Sequence, residues 1–174
     1  RNAAGNSSTQ PFTLTIAALP DNALGTFGGY LERSATLNAS MGGTITAAVA
    51  KTGSFSGRMK LGATTYSYRG RLVSPLSGNP TAVVTILRRG LSTLTLHLTF
   101  DVTSNTLTGT VGADATTAAI NAARNTWNAR LNPAAQYAGK YNAAIDIPTG
   151  SIGNAAVPQG LGWTQLTVST SGAV

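Results

Sequence analysis

The sequence predicts an all-β fold, either an antiparallel β-barrel or a β-sandwich, built from repeated β-meander units. Three observations predict it: apolar and polar residues alternate with period two through most of the chain, 20 glycines and 7 prolines punctuate this alternation, and a long segment occurs twice. Many antiparallel strands need protected edges, which a closed barrel, two packed sheets or a neighbouring domain can supply. The pattern alone leaves the choice between barrel and sandwich open.

The duplicated segment relates the end of the chain to an earlier part of it. Residues 43–55 align without a gap with residues 162–174, and residues 27–29 align with residues 137–139. These alignments place about nine additional residues in the second copy, and a period this long indicates repeated small domains rather than a solenoid of short repeats.

The repeat divides the chain into three expected parts. Residues 1–20 are predicted to form the last strand of a preceding domain or a linker. Residues 21–133 form a first β-repeat, and residues 134–174 start a second, truncated β-repeat. One domain plus part of another is the natural expectation for 174 residues.

The strongest strand signal lies between residues 93 and 100. Leu94, Leu96, Leu98 and Phe100 share one face, while threonines and His97 share the other. Further strands are expected near residues 12–17, 27–37, 43–51, 81–88, 106–112, 137–145 and 162–170.

The segment 114–131 fits two interpretations. Its alanines can form one face of a helix, but its apolar residues also alternate as in a strand. Because strands surround it, we predict two short strands with a turn near Arg124. The large aromatic residues predicted to anchor the core are Phe27, Trp127, Tyr137 and Trp163.

A hairpin with a basic outer face is predicted between residues 55 and 72, around a turn at Gly62. Its inner face carries Phe55, Met59, Leu61, Tyr66, Tyr68 and Leu72. Its outer face carries the four candidate ligand-binding residues Arg58, Lys60, Arg69 and Arg71. These cations would hold an anionic polysaccharide or lipid headgroups, but a solvated polar face that discourages strand aggregation is the favoured interpretation.

The charge pattern argues against a nucleic-acid partner. The net charge of +7 arises from 12 basic residues set against only 5 acids, and Arg88-Arg89 is the only adjacent basic pair. Tyr66 and Tyr68 are predicted to point away from the basic face, whereas base stacking requires aromatic and charged residues on the same face.

The sequence offers no constellation for catalysis or metal binding. His97 is the only histidine, cysteine is absent, and the five acids stand singly. Asp101 lies four residues from His97, about 13 Å along a strand, which is too far for a histidine–carboxylate bond. We therefore predict no enzyme activity, no catalytic residue, no metal site and no cofactor.

Several segments resemble a repeat found in very large bacterial exported and cell-surface proteins. Residues 53–70, GSFSGRMKLGATTYSYRG, resemble its signature G-x-F-S-G-K-L-x-L-x-G-x-x-Y-S-F-x-G. Residues 94–101, 108–111 and 124–127 resemble its later blocks. Residues 2–5 and 11–19 are similar to the last strand of bacterial Ig-like domains, which often precede this repeat.

The resemblance implies a secreted or cell-surface bacterial protein, with any signal peptide outside this segment and no membrane span within it. We expect a structural or adhesive module that assembles into a fibre by self-association or by contact with neighbouring β-domains. The candidate self-association residues are Phe12, Leu14, Ile16, Leu166 and Val168. The alternative is a module that binds carbohydrate or polyanion through the basic strand face.

Overall fold

The structure of the chain is a computed structural model. It describes residues 11, 18–75, 77–147, 149–154, 157 and 159–172. The predicted strand at 12–17, with Phe12, Leu14 and Ile16, lies outside these residues. The chain divides into two compact units, the first ending at Arg124 and the second beginning at Asn125. The sequence predicts this boundary after residue 133, so the segment 125–133 belongs with the second unit instead.

The first unit consists mainly of eight strands. They are β1 Gly25–Leu31, β2 Gly43–Val49, β3 Ser54–Leu61, β4 Thr64–Arg71, β5 Thr81–Arg88, β6 Leu91–Asp101, β7 Thr106–Ala113 and β8 Thr116–Arg124. A single 3₁₀ turn, Asp21–Ala23, precedes β1, and a short helix α1, Ala35–Asn38, connects β1 to β2.

The eight strands form one nearly closed antiparallel barrel of meander connections, which confirms the all-β prediction in its barrel form. Strands β1–β4 and β5–β8 are two four-stranded meanders, joined where β1 pairs with β8. At the opposite side, the segment that follows β4 is linked to β5 by a bridge between Val73 and Thr81. The barrel form protects strand edges that an open sheet would leave exposed.

The barrel core follows from the alternation in the sequence. Leu94, Leu96, Leu98 and Phe100 are all buried, as predicted for β6. Phe100 packs edge-on against Phe27, with ring centroids 5.1 Å apart. Because one face of each strand must be buried, the period-two pattern determines which side chains point inward.

The predicted basic hairpin is confirmed as β3 and β4. Phe55, Met59, Leu61 and Tyr68 are buried, and Tyr66 is half-buried. The strands connect through Gly62, whose positive φ of 60° suits this tight turn.

Two strand predictions are wrong at their ends. The strand expected over 27–37 stops at Leu31 because α1 begins soon afterwards, where the Ser34 hydroxyl accepts a hydrogen bond from the Leu37 N–H at 3.3 Å. Residues 114–131 contain one strand, β8, and not two. Beyond Arg124, the Asn128 side chain accepts hydrogen bonds from the N–H groups of Arg130 and Leu131, which holds this segment in turns.

The second unit is built around a two-stranded sheet of β9 Gly139–Ile145 and β10 Gly162–Val168. Single 3₁₀ turns, Ala135–Tyr137 and Thr149–Ser151, lie before and after β9. Tyr137 and Trp163 are 50% and 74% exposed, so their prediction as core anchors is wrong. The Tyr137 ring does pack edge-on against the half-buried Trp127, with ring centroids 5.6 Å apart.

Candidate functional site

The four predicted basic residues lie on the outer face of β3 and β4, and all four are exposed. Arg58 and Lys60 lie opposite Ser67 and Thr65, whereas Arg69 and Arg71 lie opposite Ser56 and Ser54. The cations therefore occupy four successive rungs of the ladder, that is, successive pairs of opposed residues on this face. The first two cations belong to β3 and the last two to β4. With two residues per rung, this basic stripe is about 20 Å long.

Two open depressions adjoin along the basic stripe. The first, of about 610 Å³, is lined by Thr46, Ser56, Gly57, Arg58, Ser67, Tyr68 and Arg69. The second, of about 670 Å³, is lined by Ala48, Val49, Ala50, Ser54, Phe55, Ser56, Arg69, Gly70 and Arg71. Ser56 and Arg69 line both depressions, which are together called the basic groove. Lys60 lies one rung beyond it.

Beneath the first depression, on the inner face of the hairpin, a side chain of β4 contacts β2 across β3. The Tyr68 hydroxyl donates a hydrogen bond of 2.8 Å to the Thr46 carbonyl oxygen, so the phenol of β4 reaches past β3 to β2. Gly57 of β3 leaves room for it, since a Cβ there would lie 2.6 Å from the phenol oxygen. Burial raises the pKa of Tyr68 above its ordinary value, which keeps the hydroxyl protonated as a donor.

The basic groove is positively charged without nearby compensation on its ladder. The residues opposite its arginines on β3 and β4 are serines, and Thr46 of β2 lies opposite Arg58. Hydroxyl groups neither neutralise the guanidinium groups nor prevent them from binding a carboxylate or sulfate in a bidentate manner. Three arginines and several hydroxyls thus face the groove as hydrogen-bond donors.

Sequence reasoning placed the arginines on this face but missed Thr46 and Gly57. Thr46 belongs to a different predicted strand, and its place beside Arg58 depends on the register between β2 and β3. Gly57 did carry a signal, because a glycine within a regular strand often marks the close approach of another group.

Asp101, Asp114 and His97 do not form a site that is as well defined as the basic groove. The N–H groups of Thr103 and Ser104 donate hydrogen bonds to the Asp101 carboxylate, which lowers its pKa and holds it in the turn after β6. His97 is exposed and lines a shallow depression with Asp114 and several threonines. Among the described residues, no three metal-ligating side chains come together.

The predicted self-association residues Leu166 and Val168 lie two residues apart on β10, on the same face, and both are half-buried. They pair with Tyr141 and Gly139 of β9. This face belongs to the second unit, whereas the basic groove belongs to the first.

No protein-family model, curated protein or solved structure gave a significant match to the chain. Within the described residues, no helix has the length and apolar character of a membrane span. We therefore infer a function from the physical chemistry of the basic groove.

Proposed function

We propose that this chain is an adhesive module of a bacterial secreted or cell-surface protein, and that it binds an anionic polysaccharide along the basic groove. The observation that carries the proposal is the basic groove, which Arg58, Arg69 and Arg71 line without a carboxylate among their ladder partners. A protein that binds a ligand without catalysing a reaction needs only such a charged surface on a stable scaffold.

An extended polymer suits the shape of the basic groove. The groove is open and shallow, and its cations follow one another along the hairpin rather than surrounding a point. A linear polyuronate can present successive carboxylates to successive arginines, while Ser56 and Ser67 offer hydrogen bonds to sugar hydroxyls.

Single-stranded nucleic acid is less favoured because the groove offers no exposed aromatic ring. Tyr68 and Phe55 lie on the inner face of the hairpin and are buried, with 5% and 3% of their surfaces exposed. Proteins that bind single strands without sequence preference combine basic grooves with accessible aromatic platforms.

The test is binding of alginate, a linear polyuronate, to the complete chain and to a variant with Arg58→Ser and Arg69→Ser. If each exposed arginine–carboxylate contact contributes about 1 kcal/mol, the variant should bind about 30-fold more weakly. The matched control is Arg33→Ser with Arg89→Ser, which removes two exposed arginines elsewhere and changes the net charge equally.

Three outcomes contradict the proposal. Equal alginate affinity of the two double variants would show that the groove is not the binding surface. Tighter binding of an oligothymidylate than of alginate would favour nucleic acid. Equal binding of alginate and uncharged dextran would remove the role of charge.

A structural role in a fibre is the second candidate. It is favoured by the apolar residues that the second unit exposes, among them Ile145 at 56% and Trp163 at 74%. Sedimentation velocity over a wide concentration range tests it: assembly that Leu166→Asp abolishes supports the fibre, and a monomer at all concentrations argues against it.

A further inference from the structure

The second unit repeats the 3₁₀ turn and the two-stranded hairpin that open the first unit. The turn Asp21–Ala23 precedes β1 by one residue, and the turn Ala135–Tyr137 precedes β9 by one residue. In both turns, the N–H of the third residue donates to the carbonyl oxygen of the residue before the turn, over 2.9 and 2.8 Å. The chain thus enters both hairpins in the same way.

The two hairpins also pair in the same register. Gly25 and Leu31 of β1 lie opposite Val49 and Gly43 of β2. Correspondingly, Gly139 and Ile145 of β9 lie opposite Val168 and Gly162 of β10. Each hairpin has two seven-residue strands that pair from end to end.

The turn after the second strand is equivalent as well. Gly53 has a φ of 76°, and its N–H donates a hydrogen bond of 2.9 Å to the Ala50 carbonyl oxygen. Gly172 has a φ of 75°, and its N–H donates a hydrogen bond of 2.9 Å to the Ser169 carbonyl oxygen. An apolar side chain approaches each glycine, Leu19 in the first unit and Trp127 in the second.

This equivalence corrects the first part of the sequence alignment. Gly162 does match Gly43, but Phe27 matches Tyr141 rather than Tyr137, because β9 begins at Gly139. The connection between the strands comprises residues 32–42 in the first hairpin and residues 146–161 in the second. The second copy is therefore five residues longer, and not nine.

Equivalent positions differ in burial. Phe27, Leu31 and Ile45 of the first hairpin are at most 2% exposed, since they face the barrel core. The residues that match Phe27 and Leu31 in the second hairpin, Tyr141 and Ile145, are 43% and 56% exposed. Within the described residues, this face of the second hairpin is therefore more exposed than its counterpart in the barrel.

The first unit shows what covers such a face. There, β2 pairs with β3, β1 pairs with β8, and the strands between them enclose the core. We propose that the β9–β10 hairpin is a docking surface for a further copy of the strand segment β3–β8, with which it closes a second eight-stranded barrel. In that barrel, the second copies of Phe55, Met59 and Leu61 pair with Val168, Thr164 and Gly162, as the first copies pair with β2.

The test replaces residues 173 and 174 by a second copy of residues 54–124, joined directly after Gly172, the equivalent of Gly53. Amide hydrogen exchange at Tyr141, Ile145, Leu166 and Val168 is expected to slow at least about 100-fold, towards the rates of β1 and β2. The control is the same extended chain with Ile145→Asp and Leu166→Asp, in which these amides should remain fast. Unchanged exchange in the extended chain, with the first barrel intact, overturns the proposal.

A second measurement decides the case in which the extended chain aggregates. A synthetic peptide of residues 53–72, carrying β3 and β4, is added at millimolar concentration to the original chain. Protection of the β10 amides by this peptide, but not by its Met59→Asp form, supports the proposal. Absence of protection, or equal protection by both peptides, overturns it.

Discussion

Replacing Gly57 by alanine tests the geometry of the basic groove most severely. A Cβ at this position would lie 1.9 Å from the Thr46 carbonyl oxygen and 2.6 Å from the Tyr68 ring. Real Cβ atoms essentially never come closer than 3.0 Å to such an atom, so the Thr46 carbonyl must move by roughly 1 Å. Backbone of a central strand would have to shift, since Thr46 lies within β2.

The expected cost combines two terms. Forcing an extra methyl group into a packed site costs about 1–3 kcal/mol. Displacing the carbonyl also weakens its hydrogen bond with Tyr68, which contributes about 1 kcal/mol. Gly57→Ala should therefore lower the free energy of unfolding by about 2–4 kcal/mol, and alginate binding should weaken because the floor of the groove is displaced.

The matched control is Gly28→Ala, in which the new Cβ meets no atom within 4 Å. Urea denaturation followed by far-UV circular dichroism measures both variants. With a slope near 2 kcal/mol per molar, Gly57→Ala should lower the midpoint by about 1–2 M, while Gly28→Ala leaves it nearly unchanged. Equal midpoints for the two variants would refute the described approach of Tyr68 and Thr46 over Gly57.

Three further predictions concern the first unit. Tyr68→Phe should cost about 1–2 kcal/mol at neutral pH by leaving the Thr46 carbonyl without its donor, as measured by urea denaturation; a cost below 0.3 kcal/mol would contradict the bond. Because burial raises the pKa of Tyr68, the wild type should also lose stability more steeply than this variant as the pH rises above about 10, and parallel pH profiles would argue against that burial. Leu98→Ala should lower the free energy of unfolding by about 2–5 kcal/mol, because Leu98 lies in the core. Leu87→Ala, at an 83% exposed position, should change it by less than about 0.5 kcal/mol. Similar melting temperatures for the two variants would contradict the placement of Leu98 on the inward face of β6. Hydrogen bonds from the Thr103 and Ser104 N–H groups lower the pKa of Asp101. The stability difference between wild type and Asp101→Asn should therefore be present above the ordinary aspartate pKa near 3.9 and vanish as the pH falls below the lowered pKa. A stability difference that persists in acid would exclude this cause.

The sequence predicts the inward and outward faces of the strands because burial on one side forces a period of two. In β6, and in the β3–β4 hairpin, each apolar residue that alternates is at least half-buried in the structure. The short turn at Gly62 sets the register of the hairpin, so the placement of Arg58 and Arg69 on one face was also accessible from the sequence.

Barrel closure was not accessible, since it depends on pairing between distant segments. Tyr30 of β1 lies opposite Asn121 of β8, and neither residue carries a local signal for this partner. The same limit applies to the basic groove, because Thr46 reaches Arg58 only through the β2–β3 register.

The segment after Arg124 was mispredicted for a local reason. Its apolar residues alternate, which mimics a strand, but asparagine side chains compete for the backbone. The Asn125 side chain accepts a hydrogen bond from the Trp127 N–H, and the Asn132 side chain donates to the Thr126 carbonyl. Such bonds favour turns over a ladder.

The most direct test of the proposed function is a map of the surface that an anionic oligosaccharide contacts. Alginate oligomers are titrated into ¹⁵N-labelled chain, and the amide chemical shifts are followed. We expect saturable shifts at Thr46, residues 56–58 and residues 67–71, which fade at high salt because the contacts are ionic. Shifts concentrated elsewhere, for instance around Arg88 and Arg89, or no saturable shifts at low salt, would contradict it.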